Sequence, residues 1–200
     1  MYALITDGSI SKYINHPKPL VIGDVQYPAR IFSVWTASEL AAIGIYEITF
    51  DDSKKKDEQW YINTNQTYTY DADAGTVTAT YGDATARAHA DTLFSAQDET
   101  DGLGTEGEVA TRGLKYNLIK IIKSQAAGIL ADTDWYIIRK ADANTAIPST
   151  ITNHRAAVRT KAAQMETAIT NASDTPALET LYKRNENSVR PLGELPRLES

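Results

Sequence analysis

The residues best equipped for chemistry gather around Trp135, where an indole, Arg139, Arg155 and Arg159 lie on neighbouring stretches of helical spacing. An aromatic plane beside guanidinium groups suits anion clamping or cation–π stacking, because guanidinium is a planar fork of donors and the indole face attracts cations. The same side chains can instead stack on one another or pair with Asp132 and Asp134 at a helix junction, and the spacing favours this second role. No nucleophile and base accompany them. His16, His89 and His154 fall in a loop, an acidic stretch and a helix, without a second ligand or nucleophile at useful spacing, and the chain has no cysteine.

Three further patterns lose force in context. Gly102-Leu103-Gly104-Thr105-Glu106-Gly107 spells GxGxxG, but no hydrophobic strand precedes it and the surrounding acids repel a pyrophosphate. Asp71 with Asp73, and Asp132 with Asp134, do not continue into the spaced oxygen ligands and terminal glutamate of a calcium loop, so a turn and a helix cap are expected. Asn65-Gln66-Thr67 and Asn171-Ala172-Ser173 fit the glycosylation triplet, which carries no information without a secretory context. The expectation is therefore no catalytic residue, no cofactor and no metal site.

The elements that hold these residues follow from periodicity. Tyr2–Ile5 and Ile10–Tyr13 around Asp7-Gly8 read as a hairpin, and Val21 to Pro28 as a partly extended loop region. Thr36-Ala37-Ser38-Glu39 is a capping box, with Trp35 and Leu40 placed as a hydrophobic staple and Gly44 placed to end the short helix. Strands are expected at Ile45–Phe50, Trp60–Ile62, Gln66–Tyr70 and Thr76–Tyr81, the last two closed by Asp71–Gly75. Trp60, Tyr68 and Tyr70, with Tyr81, either pack or present an aromatic row to a partner.

Residues 83–113 are rich in acids and glycine and poor in large apolar groups, which predicts a linker that is mobile or ordered only against a neighbour. Leu114, Leu118, Ile121, Ile122, Gln125 and Ile129 then mark one helix. Ile151, Arg155, Val158, Ala162, Met165 and Ile169 mark the seam of a longer helix running from about Pro148 to Asn171. A last helical turn spans Pro176 to Tyr182, and the proline-bearing tail is expected to be extended. The fold class is thus α+β: an antiparallel β-rich module with one short helix at 1–82, an acidic linker at 83–113, a helical hairpin at 114–183 and a tail at 184–200.

A net charge of −6 and a pI near 5.1 supply no phosphate-seeking field, so nucleic acid is not an expected partner. No apolar run approaches the length needed to cross a bilayer, and the first residues lack the basic and apolar regions of a targeting segment, so no membrane partner is expected.

L-x-x-T-D-W followed by an arginine, then I-P and R-A-A-V-R, resembles the C-terminal module of small tailed-bacteriophage tail proteins. The family includes tail fibre assembly proteins and proteins encoded among tail and baseplate genes. Here those residues are Leu130, Thr133, Asp134, Trp135, Arg139, Ile147, Pro148, Arg155 and Arg159, within a similar region of roughly residues 114–181. MYALITDGSI and IGDVQYPARIF also look like the openings of such proteins, whereas His154 stands where the family often has tyrosine. The resemblance implies no enzyme and no cofactor. It implies a structural tail, tail fibre or baseplate component, multi-copy or homo-oligomeric, that attaches to other phage structural proteins. Such a protein resides in the virion tail, and in the host cytoplasm during assembly. The alternatives are a fibre assembly chaperone absent from the particle, and a glycan- or cell-surface-binding module built on Trp60, Tyr68, Tyr70 and Tyr81.

Overall fold

The computed structural model describes residues 1–64 and 66–198. Asn65, which opens the first glycosylation triplet, and Glu199 and Ser200 of the tail lie outside the described residues. The chain divides into two compact units, Met1–Thr85 and Ala86–Ser200, and both strands and helices are present, as an α+β chain requires.

The first unit begins with β1 (Tyr2–Thr6) and β2 (Ser9–Ile14), antiparallel partners turned by Asp7 and Gly8, both at positive φ. A second hairpin, β3 (Leu20–Ile22) and β4 (Val25–Tyr27), occupies the region expected to be only loosely extended. Next come α1 (Ile31–Val34) and α2 (Ala37–Ala42). The capping box of α2 forms with both reciprocal bonds, the Glu39 N–H donating to Thr36 Oγ1 and the Thr36 N–H to Glu39 Oε2. Gly44 ends the helix at φ +78° because a Cβ there would sit 2.7 Å from the Ile5 carbonyl oxygen.

β5 (Ile45–Asp51), β6 (Tyr61–Ile62), β7 (Thr67–Asp71) and β8 (Thr76–Thr80) complete the unit. The main sheet has the order β2-β1-β5-β8-β7. It is not wholly antiparallel, as alternation alone suggested: β5 runs parallel to β8, with Ile48 opposite Val77 and Asp51 opposite Thr80. The long connection through β6 and the β7–β8 hairpin returns the chain in the same direction, and strand alternation is blind to direction.

Period-two burial divides the side chains between two faces. Leu4, Ile14, Leu20, Ile31, Leu40 and Ile45 form one cluster with Trp35 and Tyr27 at its margin, while Ala3, Ile48, Val77 and Ala79 form the other beneath Tyr46, Tyr68 and Tyr70.

The second unit follows β9 (Thr85–Ala86), which lies at the boundary. β10 (Thr92–Leu93), α3 (Ala96–Thr100) and β11 (Val109–Thr111) lie within the segment expected to be a linker, mobile or ordered only against a neighbour, and β10 pairs antiparallel with β11. Its order comes from polar bonds rather than apolar burial. Ser95 and Asp98 form a capping box on α3. The Ala88 and His89 carbonyls accept the first free N–H groups of the next helix, from Leu114 and Lys115. Asp91 accepts from the Gly113 N–H at 2.8 Å and from Arg112 at 2.6 Å. Composition scores apolar surface and misses this, because a helix N-terminus is itself a set of donors seeking acceptors. Gly104 of the GxGxxG string lies directly beneath the Phe94 ring, where a Cβ would collide.

Four helices complete the unit: α4 (Leu114–Ala131), α5 (Asp134–Ala143), α6 (Ser149–Asn171) and α7 (Thr175–Tyr182). α4 and α6 pack antiparallel, since Lys115 reaches the Thr170 carbonyl near one end and Arg155 the Leu130 carbonyl near the other. Every residue of the expected α6 seam is buried. Full burial of Ile151, Val158, Met165 and Ile169 contributes about 1.5–3 kcal/mol each. On α4 the buried stripe is Leu118, Ile122 and Ala126, whereas Ile121 is about half exposed and Gln125 faces outward. A strict i, i+4 repeat with a small third residue lets α6 come close; the broader apolar pattern that includes Ile121 does not select a face. Asp174 caps α7 by accepting from the Ala177 N–H. Beyond α7 the tail turns back, and the Leu192 N–H bonds to the Leu181 carbonyl as its side chain is buried. Among the described residues no helix is long and apolar enough to cross a membrane.

Candidate functional site: a junction and groove in the helical unit

The turn between α4 and α5 is organised by one buried cation. Arg155, on the seam of α6, donates to the Leu130 carbonyl at 2.7 Å and to Thr133 Oγ1 at 2.7 Å, and pairs with Asp134 Oδ1 at 2.8 Å. Thr133 is buried and its hydroxyl donates back to the Leu130 carbonyl at 3.0 Å. The expected side-chain cap by Asp132 or Asp134 is not formed: Thr133 stands at the N-cap with no side-chain bond to the first N–H groups of α5, and Asp134 turns to Arg155. Arg155 also binds the carbonyl end of α4, where the partial negative charge of the helix favours a cation.

α5 buries none of its residues. Trp135 is 49 % exposed, and Ile137 and Ile138 are exposed beside it, an unusual face for a helix bearing so many large apolar groups. Arg139 lies over the Trp135 ring at 4.6 Å and near Tyr136 at 5.4 Å, while the two rings stand 3.9 Å apart. The aromatic stacking read from spacing is therefore the arrangement adopted, with Tyr136 as a member that spacing did not single out. Arg139 Nε is buried with no hydrogen-bond partner among the described residues. Arg159 is exposed on α6 and joins neither group.

Beside this junction lies a groove of about 1070 Å³. Trp135, Tyr136 and Ile129 line one part, His154 lies within it, and the returning tail contributes Arg184, Arg190 and Arg197. Glu194 bridges Arg184 and Arg190, one carboxylate oxygen to each, at 2.9 and 2.8 Å. Arg197 makes no ion pair among the described residues. The three tail arginines carry no periodicity, so nothing in the sequence tied them to Trp135. They reach the groove because buried Leu192 pins the tail against α7. Next to them, burial pushes the Tyr182 hydroxyl pKa upward, with the Arg190 guanidinium opposing it.

Of the two roles open to the aromatic residues of the first unit, packing or presentation to a partner, Trp60, Tyr68 and Tyr70 adopt packing. Trp60 is buried at 3 % exposure and is unavailable for stacking on a ligand. Tyr68 and Tyr70 face the sheet: Tyr68 packs on Tyr13 at 4.7 Å, and the Tyr70 hydroxyl donates to Tyr46 at 3.2 Å. That bond, with lesser help from burial, raises the Tyr70 pKa. Tyr81 lies beneath Lys55, 5.6 Å from its ring centre. A strand places alternate residues on one face but does not decide whether that face is core or solvent.

Asp71, expected with Asp73 to form a turn, accepts from the Asp73 and Ala74 N–H groups and so shapes the β7–β8 turn. Among the described residues no group of three or more histidine, aspartate or glutamate side chains is arranged to hold a metal ion. No family model, curated protein or solved structure matches the chain.

Proposed function

We propose that this chain is a non-enzymatic structural component of a bacteriophage tail, tail fibre or baseplate, present in several copies and attached to other virion proteins through its helical unit. The reading starts from the sequence resemblance, and one structural observation supports it. Leu130, Thr133, Asp134 and Arg155, four of the residues that carry the resemblance, meet in a single hydrogen-bonded junction. That junction displays Trp135 and Arg139 on a helix with no buried residue. An exposed aromatic and arginine surface on a rigid base is the composition from which protein interfaces draw most of their energy.

Mass spectrometry of purified particles tests the proposal. A virion subunit is recovered at regular stoichiometry; its absence from particles, with presence in the infected cell, overturns the structural role in favour of an assembly chaperone. Trp135→Ala addresses the attachment surface itself. Incorporation should fall while helix content is retained, and unchanged incorporation removes Trp135 from the interface.

A further inference from the structure

We infer that the groove between the α4–α5–α6 junction and the returning tail is a binding site for an extended acidic peptide segment with apolar side chains, contributed by a partner protein. This deepens the attachment role proposed above and rests on it. Four observations lead to this occupant.

The first is charge. In a chain of net charge −6, the groove gathers Arg184, Arg190 and Arg197 against Asp132 and Glu194. Because Glu194 engages both Arg184 and Arg190, Arg197 is left as a guanidinium with no ion pair among the described residues, a ready bidentate partner for a carboxylate. The second is an unfulfilled polar group. His154 is 9 % exposed, lies in the groove and makes no hydrogen bond or ion pair among the described residues. Its ring nitrogens are not closed off from solvent, so a ligand carbonyl, amide or carboxylate can reach them from the groove.

The third is the apolar lining. Trp135, Tyr136, Ile129, Leu195 and Leu198 stand among the charges, so a bare inorganic anion would leave most of the surface unused. Alternating apolar and acidic side chains on an extended chain match a lining in which both kinds of surface are interspersed. The fourth is size. About 1070 Å³ is at or above the upper end of small-molecule pockets, which suits a peptide of several residues. Nucleic acid would add a run of phosphates along a surface where Asp132 and Glu194 stand, and it is the poorer electrostatic match.

The test uses the full chain and a displayed library of random dodecapeptides. Selection should enrich sequences that mix aspartate or glutamate with leucine, isoleucine or aromatic residues. A labelled peptide from that pool should lose about tenfold or more in affinity on Arg197→Glu, and a similar amount on Trp135→Ala. His154→Phe, which keeps a ring but removes both nitrogens, should weaken binding without changing helix content. Arg159→Ala, outside the groove, should leave affinity unchanged. Enrichment of basic peptides, no enrichment at all, or binding indifferent to Arg197→Glu and Trp135→Ala overturns the inference. Since particle composition is measured separately, a virion subunit whose groove selects no acidic peptide refutes this proposal alone. A groove that selects acidic peptides on a protein absent from particles refutes the virion role alone.

Discussion

Replacing Arg155 by methionine keeps most of the buried aliphatic stem and removes only the guanidinium, so it isolates the polar bonds at the α4–α5 junction. The side chain is 10 % exposed whereas Asp134 is 55 % exposed, so the two halves of the network respond differently. The freed Asp134 carboxylate returns to water, and loss of that pair costs no more than about 1 kcal/mol. The bonds to the Leu130 carbonyl and Thr133 Oγ1 are short, charge-assisted and shielded. Each is worth about 1.5–3 kcal/mol when removed, partly offset because the variant no longer buries a charge. The Leu130 carbonyl still accepts from the Thr133 N–H and hydroxyl, so it is not orphaned. The expected net loss is about 2–3 kcal/mol.

In urea, followed by far-UV ellipticity, this loss lowers the midpoint of the transition that reports the long helices by about 1–2 M with unchanged slope. Asp134→Asn should cost less than about 1 kcal/mol. Thr133→Val also removes the Arg155–Thr133 bond, so the double variant should cost about 1 kcal/mol less than the two single losses combined. Strict additivity would show that this bond contributes nothing. A neutral or stabilising Arg155→Met would show that desolvation of the cation outweighs its bonds, and an Asp134→Asn loss equal to that of Arg155→Met would put the energy in the exposed pair. Each result refutes the reasoning at a different step.

Thr36→Ala removes the hydroxyl that accepts from the Glu39 N–H and should lower the melting stability of the first unit by about 1 kcal/mol. Gly44→Ala forces a side chain into left-handed backbone and against the Ile5 carbonyl; a loss of about 2 kcal/mol is expected, and a tolerated substitution in thermal melts would contradict the turn geometry. Asp91 has its pKa lowered, first by the Gly113 N–H and then by Arg112. A depressed carboxylate stabilises the fold fully above its unfolded pKa, and that stability is lost as pH falls through the lower folded value. Acid unfolding of the second unit should therefore be less steep in Asp91→Asn, and an NMR titration of Asp91 should give a midpoint below the ordinary aspartate range.

What was legible in the sequence was legible because its causes are local. Thr36 and Glu39 find each other across one helical turn, Asp7-Gly8 and Asp71–Gly75 turn the chain within a few residues, and the six-residue seam of α6 repeats with helical period. At the site, the stacking of Arg139 on Trp135, four residues apart, followed from helical reach, whereas Arg155 was one of three arginines open to stacking or to pairing with Asp132 or Asp134, and only the packing of α6 selected Asp134. The limits appear where a choice depends on what arrives from elsewhere. Ile121 and Ile122 are equally apolar, and only the approach of α6 decides that Ile122 is buried and Ile121 is not.

By itself, then, the sequence determined the α+β class, the capping box of α2, the turns at Asp7-Gly8 and Asp71–Gly75 and the α6 seam, since each depends on residues a few positions apart. Only tertiary structure decided that β5 and β8 run parallel, that Trp60 is core, and that residues 86–113 satisfy the start of α4. It also decided that three unpatterned tail arginines meet Trp135 and His154 across one groove. Strand direction, burial of a given face and convergence of distant cations are set by contacts between segments far apart in the chain, and no local period encodes them.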